Sequence, residues 1–162
     1  MAEAIGLLRA KEAVRQAEVR LTGQAAALTT LEVRATSIVS WSVAVAAGAL
    51  AFALGDGKAG HLQWGAAIGA AVMWGAAALA AQVLRPGEWV VPGRRPPSVL
   101  RGDDDETAEG FFRALAEGYE SGISANAVRL RAGSRALRLA LGGVLLAGPA
   151  AGAASLMAWL WL

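Results

Sequence analysis

Residues 35–55 read ATSIVSWSVAVAAGALAFALG, and no charged side chain interrupts them. An α-helix rises 1.5 Å per residue and needs roughly 20 apolar residues to cross a bilayer, so this stretch is long enough to span one. Two more follow, LQWGAAIGAAVMWGAAALAAQVL at 62–84 and LALGGVLLAGPAAGAASLMAWLWL at 139–162. The fold class this predicts is an all-α membrane protein with three transmembrane helices. In a chain of 162 residues the remainder leaves no room for a separate enzyme domain of the usual ~100–150 residues.

Charge orients the spans. Of 15 Lys and Arg, five precede the first span and nine lie between the second and third; Lys58 alone sits in the short hairpin loop. The positive-inside rule then places the N-terminus and the long loop in the cytoplasm, with Asp56–His61 and the C-terminus outside. The stretch Met1–Arg34 is charged and amphipathic, unlike a secretory signal, so the first span is expected to be an uncleaved anchor. Cysteine is absent, which excludes disulfides, thiolate metal sites and cysteine nucleophiles. Thirty-nine alanines, and thirteen Arg against two Lys, suggest a GC-rich bacterial genome and hence the bacterial inner (cytoplasmic) membrane.

On either side of the spans the pattern changes from uniformly apolar to heptad. Leu7, Ala10, Val14, Ala17, Leu21, Gln24, Leu28 and Leu31 alternate steps of three and four, with Arg9, Glu12, Arg15, Glu18 and Arg20 off that seam. Phe112, Ala116, Tyr119, Ile123, Asn126, Leu130, Gly133 and Leu137 repeat the pattern. Asn126 takes the kind of seam position where one buried amide sets register. The acidic run Asp103–Glu106 is expected to cap this second helix. Residues 1–34 and 103–138 are therefore read as two cytoplasmic helical extensions, pairing in parallel as a stalk within one chain or between chains. The 35–84 hairpin (35–55 and 62–84) lies between them, followed by a Pro/Gly-rich interfacial elbow at 85–102. In the elbow, four of the five prolines forbid a helix, and Trp89, Val90 and Val91 are expected at the membrane interface beside Arg94 and Arg95.

Within the spans the candidate positions concern packing and polarity. Gly65/Gly69 and Gly148/Gly152 each place two small residues on one helix face, where backbones approach closely in a chain or between subunits. Pro149 removes a helix hydrogen bond and predicts a kink that is a possible hinge. Thr36, Ser40 and Gln82 are the candidate polar face or pore lining, alongside Ser37 and Ser42, whose hydroxyls can also bond their own helix carbonyls. Trp64, Trp89, Trp159 and Trp161 suit the membrane boundaries, while Trp41 and Trp74 are expected to pack between helices. No ionisable side chain lies at hydrocarbon depth, which argues against a proton-coupled transporter.

The chain carries no phosphate loop, nucleophile elbow or His-Glu metal motif, so no enzyme activity, catalytic residue, cofactor or metal is expected. His61 reads as a solvated loop residue and Asp103–Glu106 as a cap; Arg94, Arg95 and Arg101 are nearer to phospholipid than to nucleic acid, which is not an expected partner. The order of cytoplasmic helix, membrane hairpin and cytoplasmic helix, over Met1 to about Arg135, resembles the layout of SLATT-type and related small transmembrane effectors of bacterial defence systems; the third span departs from their simplest members. That resemblance implies a homo-oligomeric membrane effector that depolarises the inner membrane when a cytosolic sensor protein acts. The alternative is a membrane anchor or accessory subunit that recruits a cytosolic partner.

Overall fold

The computed structural model describes residues 2–55, 59–93 and 107–161. Three helices form them, α1 (Ala2–Leu54), α2 (Gly60–Ala81) and α3 (Ala108–Trp161), with no strand among the described residues. All three are long and apolar enough to cross a membrane. α1 joins the heptad stretch and the first apolar run without a break, since neither Gly nor Pro occurs between Thr30 and Ser40.

Two boundaries differ from those read in the sequence. α2 begins at Gly60 and ends at Ala81, so Gln82 is its C-cap and not part of the span. Gln82, Val83 and Leu84 donate their N–H groups to the carbonyls of Leu79, Ala80 and Ala81, three residues back, which tightens the last turn. Pro86 then disfavours helical backbone at Arg85. At the start of α3, Thr107 is the cap: its Oγ1 accepts the Gly110 N–H at 3.2 Å and its carbonyl accepts the Phe111 N–H at 3.0 Å. Asp103–Glu106, along with Arg94, Arg95 and Arg101, lie outside the described residues.

The chain divides into two compact units. Unit 1 comprises Met1–Thr29 and Gly87–Arg131, and its core is Val14, Ala17, Leu21 and Tyr119, with Phe112, Leu115, Ala116 and Ile123 packed against it. Both heptad seams point inward; Leu21 is fully buried and Asn126 nearly so. Cross-contacts in register show that α1 and α3 run parallel here. Lys11 lies over the Phe112 ring at 5.4 Å, Arg20 meets Glu120 at 3.9 Å, and Gln24 Nε2 donates to the Ile123 carbonyl at 3.0 Å. On the outer surface Arg15 donates two hydrogen bonds to Glu12, and these hold the Glu12 carboxyl down at about 2, with Gln16 adding a third.

Unit 2, Thr30–Pro86 with Ala132–Leu162, packs small residues inward. The buried residues of α2 are Gly65, Gly69, Ala70, Met73, Ala76, Ala77 and Ala80. Their partners on α3 are antiparallel: Gly65 faces Ala151 and Ser155, Gly69 faces Ala147 and Ala151, and Ala76 faces Gly143. Ala46 of α1 joins the same cluster. Gln63 Nε2 donates to the Gly55 carbonyl at 2.7 Å and ties the start of α2 to the end of α1. Large apolar residues point the other way. Trp41 is 74% exposed and Trp74 51%, which overturns the expectation that both pack between helices. A helix face lined with Gly and Ala admits a neighbouring backbone only if bulky rings are turned away from it.

Candidate functional site

The Pro/Gly-rich segment after α2 meets a built site on α3. Proline removes backbone donors and prevents a helix, so the remaining polar backbone groups of the segment need partners elsewhere. Asn126 supplies two: its Nδ2 donates to the Val90 carbonyl at 2.8 Å, and its Oδ1 accepts the Val90 N–H at 3.2 Å. Tyr119 Oη accepts the Gly93 N–H at 2.9 Å, and Arg129 Nη1 donates to the Glu88 carbonyl. Between them Gly122 leaves room for Val90, since a methyl group at Gly122 would lie 2.6 Å from Val90 Cγ1. Positions 119, 122, 126 and 129 are one helix face.

The dimensions of the two partners agree. Five residues of extended chain from Glu88 to Gly93 cover about 16 Å, and ten residues of helix from Arg129 back to Tyr119 cover about 15 Å. Residues 87–93 are thus a strap laid antiparallel along α3, fixed by side chains that replace a neighbouring strand. Gly93, at φ 99°, ends it in a conformation that favours glycine. Asn126, the seam amide, is buried, and the strap backbone uses both its amide atoms. Val90 packs on Gly122, and Trp89 is half-buried with its Nε1 shielded and without a hydrogen-bond partner among the described residues.

Tyr119 offers a clean test of one strap contact because its ring belongs to the unit 1 core. Tyr119→Phe keeps that packing and removes the acceptor of the Gly93 N–H, with an expected cost of about 1 kcal/mol. Amide exchange at Gly93 should speed up while α3 keeps its protection.

The candidate polar positions in unit 2 do not meet inside the chain. Thr36 Oγ1 donates to the Glu32 carbonyl at 2.9 Å and Ser37 Oγ to Val33 at 3.0 Å, each within its own helix. Thr36, Ser40 and Gln82 are all exposed. Ser42 faces inward, fully buried, and its Oγ has no partner among the described residues. Any polar path through Thr36 and Ser40 would therefore be bounded by a second molecule.

Of the glycine pairs, Gly65 and Gly69 lie in the α2–α3 contact, but Gly148 and Gly152 do not. No side chain or second helix comes within 4 Å of where a Cβ would stand at either. The inward residues of α3 are Ala147, Ala151 and Ser155, so the Gly148/Gly152 face is turned outward together with Leu141, Leu145 and Leu156. Pro149 lies on that outward side, and α3 continues helically through it to Trp161.

Beyond Asn126, the strap residues were present in the sequence without being assigned to it. The available signal was a segment whose backbone cannot pair with itself, followed by a helix presenting Tyr119, Gly122, Asn126 and Arg129 on one face. Among the described residues no group of three or more His, Cys, Asp or Glu gathers. Comparison of the chain with protein-family models, curated proteins and solved structures gives no match.

Proposed function

We propose that this chain is an integral protein of a bacterial inner membrane, with unit 1 and the N-terminus cytoplasmic and the C-terminus outside. It acts there as a homo-oligomeric, non-enzymatic effector or channel whose cytoplasmic helices, read as a stalk, form the regulatory element. One observation carries the membrane reading: unit 2 is packed in reverse of a water-soluble protein. Its buried residues are Gly and Ala with Ser42, Met73 and Leu137, while Trp41, Trp74, Leu145, Leu146 and Trp159 face outward. Only 11% of the most apolar stretch of α1 and of α3 is buried, against 39% for α2. Water would penalise that arrangement and lipid does not.

Oligomerisation is supported by what the outward faces carry. Gly148 and Gly152 give α3 a close-approach surface that no other described residue occupies, and Thr36 and Ser40 give α1 a polar turn within an apolar helix. Orientation rests on the Lys and Arg distribution, and the effector role on the layout resemblance to SLATT-type proteins. The alternative, a membrane anchor recruiting a cytosolic partner, is favoured by the separate core of unit 1 and by its surface groove of about 360 Å³, lined by Arg9, Arg113, Glu109 and Glu117 over an alanine floor.

Purified full-length protein in liposomes separates the two. Ion flux that depends on protein-to-lipid ratio more steeply than linearly is expected for an oligomeric channel. A chain that inserts and remains electrically silent in every oligomeric state would leave the anchor reading.

A further inference from the structure

Among the described residues, a set of arginines in unit 2 has no carboxylate partner. A Cβ placed at Gly133 would stand 3.7 Å from Leu31 Cδ1 and 3.8 Å from Val83 Cγ1, so α1, the turn after α2 and α3 meet at one level. Arg34 stands three residues beyond Leu31, a rise of about 4.5 Å, and Arg135 and Arg138 stand about 3 and 7.5 Å beyond Gly133. Arg85 follows Val83 by two residues. All four are exposed. The ion pairs among the described residues involve Arg15, Arg20 and Arg113 and none of these four. Arg138 uses Nε on the Ser134 carbonyl of its own helix, which leaves its terminal nitrogens open.

Three of the four stand directly at a boundary between polar and apolar sequence, and Arg135 lies one turn before Arg138: Ala35 follows Arg34, Leu139 follows Arg138, and Leu84 precedes Arg85. We infer that Arg34, Arg85, Arg135 and Arg138 form a collar that binds the phosphate groups of anionic phospholipids. Guanidinium pairs with phosphate through two parallel hydrogen bonds, and its weak hydration suits the headgroup zone. A lipid fits this arrangement better than a free phosphate or nucleotide does. The four side chains stand on exposed surfaces of three separate elements, each next to apolar residues, so the ligand that satisfies them carries phosphate and acyl chain together. This inference rests on the membrane-spanning reading above.

The test uses full-length protein in bilayers that mix phosphatidylglycerol with phosphatidylcholine, with native mass spectrometry to count the lipids retained. One arginine near an anionic surface is worth about fivefold in binding, so the wild type is expected to prefer phosphatidylglycerol by at least about tenfold. The preference should collapse in Arg34→Gln/Arg85→Gln/Arg135→Gln/Arg138→Gln and persist in Arg9→Gln/Arg20→Gln/Arg113→Gln, which removes charge from unit 1. Wild-type protein without headgroup preference, or a collar variant that keeps it, would overturn the inference. Alkaline extraction of membranes separates the two failures: release of the wild type defeats the membrane reading, whereas retention without preference defeats the collar alone. The wild-type lipid competition decides the matter even where the fourfold variant inserts poorly.

Discussion

Gly65→Leu is expected to cost the chain about 3 kcal/mol or more of stability and to abolish the α2–α3 contact. A Cβ at Gly65 would lie 2.6 Å from the Ala151 carbonyl oxygen and closer still to Ser155 Oγ. The serine hydroxyl sits at the end of a rotatable side chain, but the carbonyl is part of the α3 backbone and yields only if the whole helix shifts. Leucine adds three further carbons in the same direction. Overpacking a filled core ordinarily costs about 1–3 kcal/mol, and backbone obstruction puts this site at or beyond the upper end. Gly65→Ala should show the same effect at smaller size.

Gly75 provides the internal control, because it lies on the same helix and nothing stands within 4 Å of its Cβ position. Gly75→Ala should stabilise α2 by about 0.5–1 kcal/mol through its backbone entropy. Thermal melts of the three variants in one detergent would check the order Gly75→Ala, wild type, Gly65→Ala, Gly65→Leu from most to least stable. Equal melting of Gly65→Leu and wild type would show that α2 and α3 are not in contact through that face.

The contrast between these two glycines shows how much the sequence could reveal. Length and apolarity located the three long helices, and the three-four alternation identified the inward residues of unit 1, from Leu7 to Leu28 and from Phe112 to Leu130, because periodicity follows directly from helix geometry. Spacing did not rank the glycines. Gly65/Gly69 and Gly148/Gly152 share one pattern, yet only the first pair meets a neighbouring helix; the rotation of α3 is set by Ala147, Ala151 and Ser155, residues too common in this chain to stand out. The misplacement of Trp41 and Trp74 has the same origin. Depth along a span can be counted in residues, whereas the direction of a side chain depends on where the other helices lie. The strap was least legible of all, since its hydrogen bonds join positions 26 to 41 residues apart.

Asn126→Leu is the second large effect, and the strap changes what it should do. As a register-setting amide, Asn126 would on mutation alter helix pairing or oligomer size. As the partner of Val90, it should leave both intact. Leucine has the same four-atom branched side chain, somewhat bulkier, and suits the apolar seam beside Ile123, so the α1–α3 core of unit 1 has no reason to loosen. What is lost is the partner of two backbone groups, the Val90 N–H and C=O, each of which is costly to leave buried and unpaired. The strap escapes that cost by lifting into water, which caps the penalty at about 2–3 kcal/mol and moves it from unit 1 as a whole to residues 87–93. Amide exchange should therefore accelerate at Val90 and, because Tyr119 loses its donor when the strap lifts, at Gly93. Helix content and oligomeric mass should stay at wild-type values. A changed oligomer with unchanged exchange at Val90 would return Asn126 to the register role.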